Sequence, residues 1–130
     1  MKLLLDTHIW IWSILEPHRL TREVTKELTN SENQLWLSPI SLWEAGLLHR
    51  KGRIKVPGEF SAWVATTMNK IPVSEAPLTL DVAFAVFSVK LPHDDPADQF
   101  LVASAKVFGL TLVTSDRHLL KADGISVLAN

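Results

Sequence analysis

The sequence predicts an α/β fold built on a parallel β-sheet, and three features of the 130-residue chain lead to this class. Short, uninterrupted apolar segments alternate with longer segments in which apolar residues recur at helical spacing. Such short apolar runs are typical of strands that are buried on both faces of a sheet. No tight hairpin signal lies between two of these runs, so consecutive strands are predicted to be parallel.

In the first half of the chain, polar residues and prolines mark where the elements end and begin. Asp6 stops a run of three leucines, and Pro17 ends an aromatic-rich helical segment. Ser38 and Pro39 suit the N-cap and the first position of a helix, which ends near Gly52. This half is therefore predicted as a strand over 2–5, helices over 7–15 and 21–30, a strand over 34–37 and a helix from 38 to about 52.

The second half of the chain continues the alternation of helices and strands. Gly109 suits the C-cap of the helical segment before it, and an apolar run follows directly. The predicted elements are helices over 58–69 and 78–89 with a short strand at 71–73 between them, a helix over 97–108, a strand over 110–114, one helical turn over 117–120 and a strand over 125–128.

Composition limits the classes of protein that the chain can represent. Apolar residues make up 47% and charged residues 21%, which predicts a single soluble domain spanning 1–130. The net charge is −1, so any binding of a polyanion must rest on a local patch. Cysteine is absent, which excludes disulfides, thiolate zinc sites and cysteine nucleophiles and fits a cytoplasmic location. No apolar run is long enough for a membrane span, and Asp6 comes too early for a signal peptide.

Four acidic residues occupy positions that a site on this sheet would use. Asp6 directly follows the first predicted strand, and Asp116 directly follows the strand over 110–114. Glu44 lies two turns into the helix after the second strand, and Asp98 lies at the start of the helix over 97–108. Ligands of open α/β sheets bind at the carboxyl ends of the strands, so we expect the four carboxylates to meet there.

Each acid also has a purely structural interpretation. Asp6, Asp95 and Asp116 are placed to cap the helices that follow them, and Asp98 would then favour the first turn of its helix. Glu44 would be a solvated side chain beside an apolar stripe. Four independent caps would not require the four carboxylates to converge, so the two interpretations differ in a geometry that a structure can decide.

Convergent carboxylates need cations, because like charges a few ångströms apart repel and raise each other's pKa values. Oxygen ligands without cysteine or a spaced histidine pair favour Mg²⁺ or Mn²⁺ over zinc. Two such ions about 3.5–4 Å apart can activate a water molecule and stabilise the departing oxygen of a phosphodiester. The sequence contains no nucleophile elbow, Walker loop or glycine-rich dinucleotide turn that would indicate another chemistry.

Taken in order, four segments resemble the PIN-domain ribonucleases, and most of all the VapC-type toxins of toxin–antitoxin pairs. The resemblance covers nearly the whole chain and keeps the family's spacing. It rests on Leu3-Leu4-Leu5-Asp6-Thr7-His8, Ser38-Pro39-Ile40-Ser41-Leu42-Trp43-Glu44, Asp95-Pro96-Ala97-Asp98-Gln99-Phe100-Leu101-Val102-Ala103 and Leu112-Val113-Thr114-Ser115-Asp116.

The resemblance implies a three-layer α/β/α sandwich with a short central sheet and Mg²⁺- or Mn²⁺-dependent cleavage of tRNA or rRNA, which inhibits translation. It implies a homodimer and an antitoxin whose C-terminal tail lies over the acidic cleft. The implied catalytic metal ligands are Asp6, Glu44, Asp98 and Asp116, with Thr7, Asp95 and Thr114 as auxiliary residues. Several relatives carry a further acid where this chain has Leu119, so the number of bound metal ions, one or two, remains open.

Basic and aromatic residues supply candidate contacts with RNA and protein. Arg50, Lys51 and Arg53 form a dense basic cluster after the helix of Glu44, which could hold phosphates or simply suit a helix C-terminus. Arg117 is placed to neutralise the acids or contact RNA, and His93 is a candidate to position a phosphate.

The five tryptophans are predicted to lie mostly in the core. Trp43 belongs to an apolar stripe with Ile40, Leu47 and Leu48 that is predicted to face inward. Trp10 and Trp12 lie about 200° apart on one helix, so one of them is predicted to meet a partner.

Two other functions remain compatible with the residues. The first is a non-catalytic PIN-like module that binds RNA or protein without cleavage. The second is an aspartyl-phosphate phosphatase or receiver domain, because Asp6 follows the first strand. A phosphatase needs a second aspartate two residues later, where this chain has His8, and a receiver is phosphorylated after a later strand.

Overall fold

Five parallel strands form one sheet in the computed structural model, which describes all 130 residues. The strands are β1 (Lys2–Leu5), β2 (Gln34–Leu37), β3 (Ser74–Glu75), β4 (Thr111–Thr114) and β5 (Ser126–Ala129). The helices are α1 (Thr7–Leu15), α2 (Arg22–Thr29), α3 (Pro39–Arg50), α4 (Phe60–Lys70), α5 (Leu80–Ala85), α6 (Pro96–Phe108) and α7 (Arg117–Leu120), with 3₁₀ turns at Pro17–Arg19 and Val86–Ser88. The predicted α/β class is confirmed.

The central strand β1 separates two apolar clusters. Successive side chains of a strand point to opposite faces, so Leu3 and Leu5 enter one cluster and Leu4 enters the other. Residues of α1 to α4 complete the first cluster, and residues of α6 and α7 complete the second. The sheet is therefore buried on both faces, as in the three-layer sandwich that the resemblance implied.

The strand order is β3-β2-β1-β4-β5, so the direction in which successive strands are added reverses between β1 and β4. Leu3 is paired with Leu35 of β2 on one side and with Thr111 of β4 on the other. Because all pairings are parallel, β1, β2 and β4 end at the same edge. This is the edge at which α/β proteins bind ligands.

Most predicted boundaries lie within one or two residues of those in the structure, and the three clearest differences each have a local reason. The strand predicted at 71–73 begins later, at Ser74, because Pro72 has no N–H to donate to the ladder. The helix predicted from Gly58 begins at Phe60, since Gly58 has a φ of +75°. The helix predicted over 78–89 is the short α5, capped by Thr79, followed by a 3₁₀ turn. No helix of the structure has the length and apolar character needed to cross a membrane.

Candidate metal centre

A polar cleft of about 340 Å³ opens at the carboxyl ends of β1 and β4. The four acids on which the sequence prediction centred all line it, although they come from both ends of the chain. The lining residues are Asp6, Thr7, His8, Trp12, Glu44, Asp95, Asp98, Ser115 and Asp116. The carboxylates that sequence reasoning expected to meet are therefore brought to one hollow.

Asp6 lies at the floor of the cleft and is only 9% exposed. Its Oδ1 accepts a hydrogen bond from the N–H of Thr7 at 2.7 Å, which caps α1. Its Oδ2 accepts from the hydroxyl of Thr114 at 2.7 Å. The capping role and the place in the cleft are thus held by the same carboxylate, so the structural and functional interpretations are not alternatives here.

Thr114 joins the ends of two neighbouring segments. It is fully buried at the end of β4, and its hydroxyl donates to Asp6 while accepting from the N–H of Asp116 at 3.0 Å. Asp116 in turn accepts from the N–H of His118 at 2.8 Å and caps α7. These bonds fix the relative positions of two acids that are far apart in the sequence.

Glu44 reaches the cleft from α3, and Thr7 of α1 holds it there. The Thr7 hydroxyl donates to Glu44 Oε1 at 2.5 Å, and the Thr7 side chain is almost completely buried. Glu44 caps no helix, and its half-buried carboxylate has no structural partner other than Thr7. A solvated surface glutamate, the alternative interpretation of Glu44, is therefore not what the structure contains.

The first turn of α6 supplies the remaining acids. Asp95 caps this helix by accepting from the N–H of Ala97 at 3.0 Å, yet it also lines the cleft. Asp98, 7% exposed, is hydrogen-bonded through Oδ2 to His93 Nε2 at 2.8 Å. A histidine that lies five residues earlier thus orients one of the clustered carboxylates.

Burial raises the pKa values of three acids in the cleft, Asp6, Glu44 and Asp98. It raises the pKa of Asp98 to about 6, although the hydrogen bond to His93 acts in the opposite direction and lowers this pKa. Burial also raises the pKa values of Asp6 and Glu44, partly opposed by the threonine hydroxyls that donate to them. The pKa of His93 is raised by its hydrogen bond with Asp98. No lysine or arginine forms an ion pair with any of the four acids; only the imidazoles of His93 and His118 face Asp98 and Asp116, and they carry charge only when protonated.

The residues present fit a divalent cation. Carboxylate oxygens are the ligands that hard cations prefer, and buried acids without a cationic partner are stable in their charged form only if one binds. Two groups also place ligand atoms within 4.8 Å of one another: His93 with Asp95 and Asp98, and His93 with Asp116 and His118. Imidazole nitrogens of His93 and His118 therefore lie beside three of the carboxylates that line the cleft.

Sequence reasoning missed part of this arrangement. It treated His93 only as a phosphate contact and gave His118 no role, whereas their rings lie 4.7 Å apart beside Asp116. The only sequence signal was the proximity of each histidine to a candidate acid, which does not reveal that the two rings meet.

The candidate basic residues divide into two sets. Lys51 and Arg53 line a second cavity that adjoins the acidic cleft, whereas Arg50 and Arg117 are exposed and line neither cavity. Leu119, the position where relatives carry a further acid, is fully buried in an apolar cluster. That position therefore contributes no ligand to the cleft.

The aromatic predictions are partly corrected. Trp10 is buried in the core, whereas Trp12 lines the cleft beneath the guanidinium of Arg19, 4.1 Å from the ring centroid. Trp43 is 58% exposed, so its predicted place in an inward-facing stripe is wrong. Trp43 directly precedes Glu44 on α3. The rotation of α3 about its axis that directs Glu44 into the cleft leaves the side chain of Trp43 outside the core.

The fold and the site together define a class of protein. It is an α/β sandwich with acids clustered at the edge where its parallel strands end. A profile of the PIN domain matches residues 3–125, and the chain belongs to the PIN domain family. Among curated proteins, it is similar to Ribonuclease VapC22 of Mycobacterium tuberculosis. The two are 29% identical over 119 residues, which cover 89% of this chain and 88% of the relative.

Solved structures show the same fold at lower sequence identity. The chain is similar to a chain of VapBC2 from Rickettsia felis, solved with promoter DNA, at 16% identity and a TM-score of 0.71, covering 100% of this chain and 99% of that one. It is also similar to DNA-bound VapBC from Salmonella typhimurium at 20% identity and a TM-score of 0.69, covering 99% and 98%. FitAcB from Neisseria gonorrhoeae has 23% identity and a TM-score of 0.65, covering 98% and 96%.

Proposed function

We propose that this protein is a metal-dependent endoribonuclease and the toxin of a toxin–antitoxin pair. The observation that carries the proposal is the convergence of Asp6, Glu44, Asp98 and Asp116 in one cleft without a lysine or arginine partner. Membership of the PIN family and similarity to a VapC ribonuclease support RNA as the polymer. Residues 1–130 act as one nuclease domain, because its acids come from the segments directly after β1 and β4 and from helices α3 and α6.

The four acids are the proposed ligands of Mg²⁺ or Mn²⁺. When bound, such a cation lowers the pKa of water and stabilises negative charge on a departing phosphate ester oxygen. The chain's own residues set the geometry: Thr114 holds Asp6, Thr7 holds Glu44, and His93 holds Asp98. Asp95 has an auxiliary role, because it caps α6 and faces the same cleft.

The proposed RNA contacts are Arg50, Lys51, Arg53 and Arg117. Lys51 and Arg53 are best placed, because their cavity shares Thr7, His8 and Glu44 with the acidic cleft. Phosphate contacts of this kind are electrostatic, so RNA affinity should fall as salt rises.

A homodimer is supported by an exposed apolar surface on α5 and the turn after it. We call this the α5 surface and define it by Leu80, Phe84 and Phe87, which are 89%, 82% and 90% exposed. A phenylalanine can bury about 150–250 Å², so the three side chains supply several hundred Å² of apolar area. A stable interface buries about 800 Å² per partner around an apolar centre, and a second copy of this chain would supply the same surface in return.

An antitoxin partner is supported by the similar structures, whose names are those of VapBC and FitAcB complexes. The chemistry of the cleft fits a basic inhibitor segment. An arginine of such a segment would pair with the buried carboxylates and compete with the cation.

The proposal is tested by incubating purified protein with tRNA and rRNA in Mg²⁺ or Mn²⁺. We expect cleavage that chelator abolishes and that Asp6→Asn removes, while the exposed Asp81→Asn, on α5, leaves it unchanged. Equal cleavage by wild type and Asp6→Asn would overturn the assignment. RNA binding that survives chelator without any cleavage would instead identify a non-catalytic module.

A further inference from the structure

A second cavity of about 220 Å³ adjoins the acidic cleft and is lined partly by an exposed aromatic ring. The two hollows share Thr7, His8 and Glu44, so a chain-like ligand can pass from one to the other without leaving the surface. The remaining lining residues are Trp43, Leu47, Leu48, Lys51 and Arg53. The cavity thus combines an aromatic and aliphatic wall with two cations.

Trp43 differs from the other four tryptophans of the chain. Trp10 and Trp63 pack against each other, Trp36 stacks on Phe108, and Trp12 lies beneath Arg19. Trp43 has neither an aromatic nor a cationic partner, and it is 58% exposed. Its ring is therefore free to receive a planar group.

Helix α3 sets the order of the groups along the cavity. Trp43 and Leu47 are one turn apart on the same side of the helix, and Lys51 follows after another turn, about 12 Å from Trp43 along the axis. Glu44 is next to Trp43 but directs its carboxylate into the cleft. The aromatic ring and the acid are therefore level along the axis, and the cations follow about two turns later.

From this arrangement we infer that the cavity binds an unpaired nucleotide of the RNA next to the cleaved phosphate. The base stacks on Trp43, and the backbone phosphates beyond it contact Lys51 and Arg53. The inference rests on the proposed nuclease function and adds to it a stacking residue, Trp43, that requires the bound nucleotide to be unpaired. A base inside a duplex is already stacked and cannot offer its face to an aromatic side chain.

The two cations favour RNA over a protein as the ligand of this cavity. A protein segment would need apolar or acidic groups to match Trp43, Lys51 and Arg53 one by one. A single RNA strand presents a planar face and a negative charge at every nucleotide, which meets both requirements with one repeating unit.

Binding is tested separately from cleavage, in an Asp98→Asn background with Mg²⁺. Short unpaired RNA is titrated against the protein while tryptophan fluorescence is recorded. Trp12 also lines the acidic cleft, so the titration is made in a Trp12→Phe background. There we expect quenching that Trp43→Phe largely removes, and an affinity about tenfold lower for Trp43→Ala. The matched change Trp36→Phe, at a ring already covered by Phe108, should leave the quenching intact.

The role of the cationic side chains is tested with a pair of variants, one inside the cavity and one outside it. Lys51→Ala should weaken RNA binding and reduce its salt dependence, whereas Lys70→Ala, which lines a different cavity, should not. In the cleaving protein, Trp43→Ala should raise KM for a looped RNA about tenfold with little change in kcat, while Trp43→Phe retains part of the affinity.

The outcomes separate this inference from the proposed function. Quenching of the Trp43 ring by RNA, with no cleavage by the wild-type protein, would refute the nuclease assignment and uphold only the stacking of a base on Trp43. Cleavage with the same KM in wild type and Trp43→Ala would refute the inference alone. Quenching by a protein partner but by no RNA would make Trp43 a protein-docking residue and would also refute it.

Discussion

The acidic cleft and the α5 surface depart from ordinary protein surfaces in opposite ways. In the cleft, Asp6 and Asp98 are buried charges without a cationic lysine or arginine. On the α5 surface, Phe84 and Phe87 are large apolar side chains left in water. Soluble proteins avoid both situations unless something binds, so each region indicates a different missing partner.

The two regions also differ in how firmly the chain holds them. Hydrogen bonds from Thr7, Thr114 and His93 fix the carboxylates of the cleft before any ligand arrives. On the α5 surface, no aromatic contact engages Phe84 or Phe87. The comparison teaches that the cleft is preorganised for a small charged ligand, whereas the α5 surface depends on area and suits a macromolecule.

The largest effect is expected from removing one charge of the cleft. Asp98→Asn keeps a hydrogen-bonding side chain beside His93 but removes a ligand and a buried charge. We expect RNA cleavage to fall by at least about a hundredfold, since preorganised electrostatic groups contribute on that scale. The Tm of the metal-free protein should rise at pH 7, because an uncompensated carboxylate is no longer buried. Cleavage assays and thermal unfolding in chelator measure the two effects.

Opposite changes in activity and stability are what make this variant informative. A loss of both would indicate that Asp98 is simply needed for folding. Unchanged cleavage would mean that the cleft is not the reaction centre.

A charge placed on the other region should act on assembly and not on chemistry. Phe87→Glu is expected to raise the dimer dissociation constant by about thirtyfold or more, the scale of an interface hot spot. Sedimentation or light scattering across a concentration series measures it. Val107→Glu, at another exposed apolar residue, serves as the control. A wild-type protein that is monomeric at every concentration would contradict the role of the α5 surface.

The smallest effect is the pH dependence of stability in the absence of metal. The pKa of Asp98 is raised from 3.8 to about 6, so the folded state retains this proton longer than the unfolded state. Stability is therefore greatest below the unfolded value and falls as pH rises through the window from about 4 to 6. We expect a loss of about 1–2 kcal/mol over this window. His93, whose pKa is also raised, extends the decline above pH 6.5.

Denaturant unfolding in chelator at several pH values tests this sign. Asp98→Asn should flatten the decline, and added Mn²⁺ at pH 7 should restore the lost stability. A metal-free protein that becomes more stable between pH 4 and 6 would contradict the electrostatic account of the cleft.

Sequence reasoning predicted the parts of the molecule that depend on local signals. The leucine run before Asp6, the cap at Ser38 and the C-cap at Gly109, with a φ of +64°, all define elements that the structure contains. Parallel pairing then brings the ends of β1 and β4 together, which is why the cleft could be anticipated. These features follow from a few residues and a rule of topology.

What sequence reasoning missed depends on contacts between elements. The meeting of His93 with His118 requires the segment before α6 to lie beside α7. The exposure of Trp43 depends on how α3 is rotated against the sheet, and a stripe of apolar residues does not fix that angle to within one residue. Periodicity identifies a helix face, but tertiary packing decides its edges.

The central claim is that the clustered carboxylates of the cleft bind a divalent cation. Titration of Mn²⁺ followed by electron paramagnetic resonance tests it directly, without RNA and without turnover. We predict saturable binding at pH 7 that is at least about tenfold weaker in Glu44→Gln and unchanged in the exposed Glu75→Gln. Equal Mn²⁺ affinity in wild type and Glu44→Gln, or no binding in either, would contradict the account.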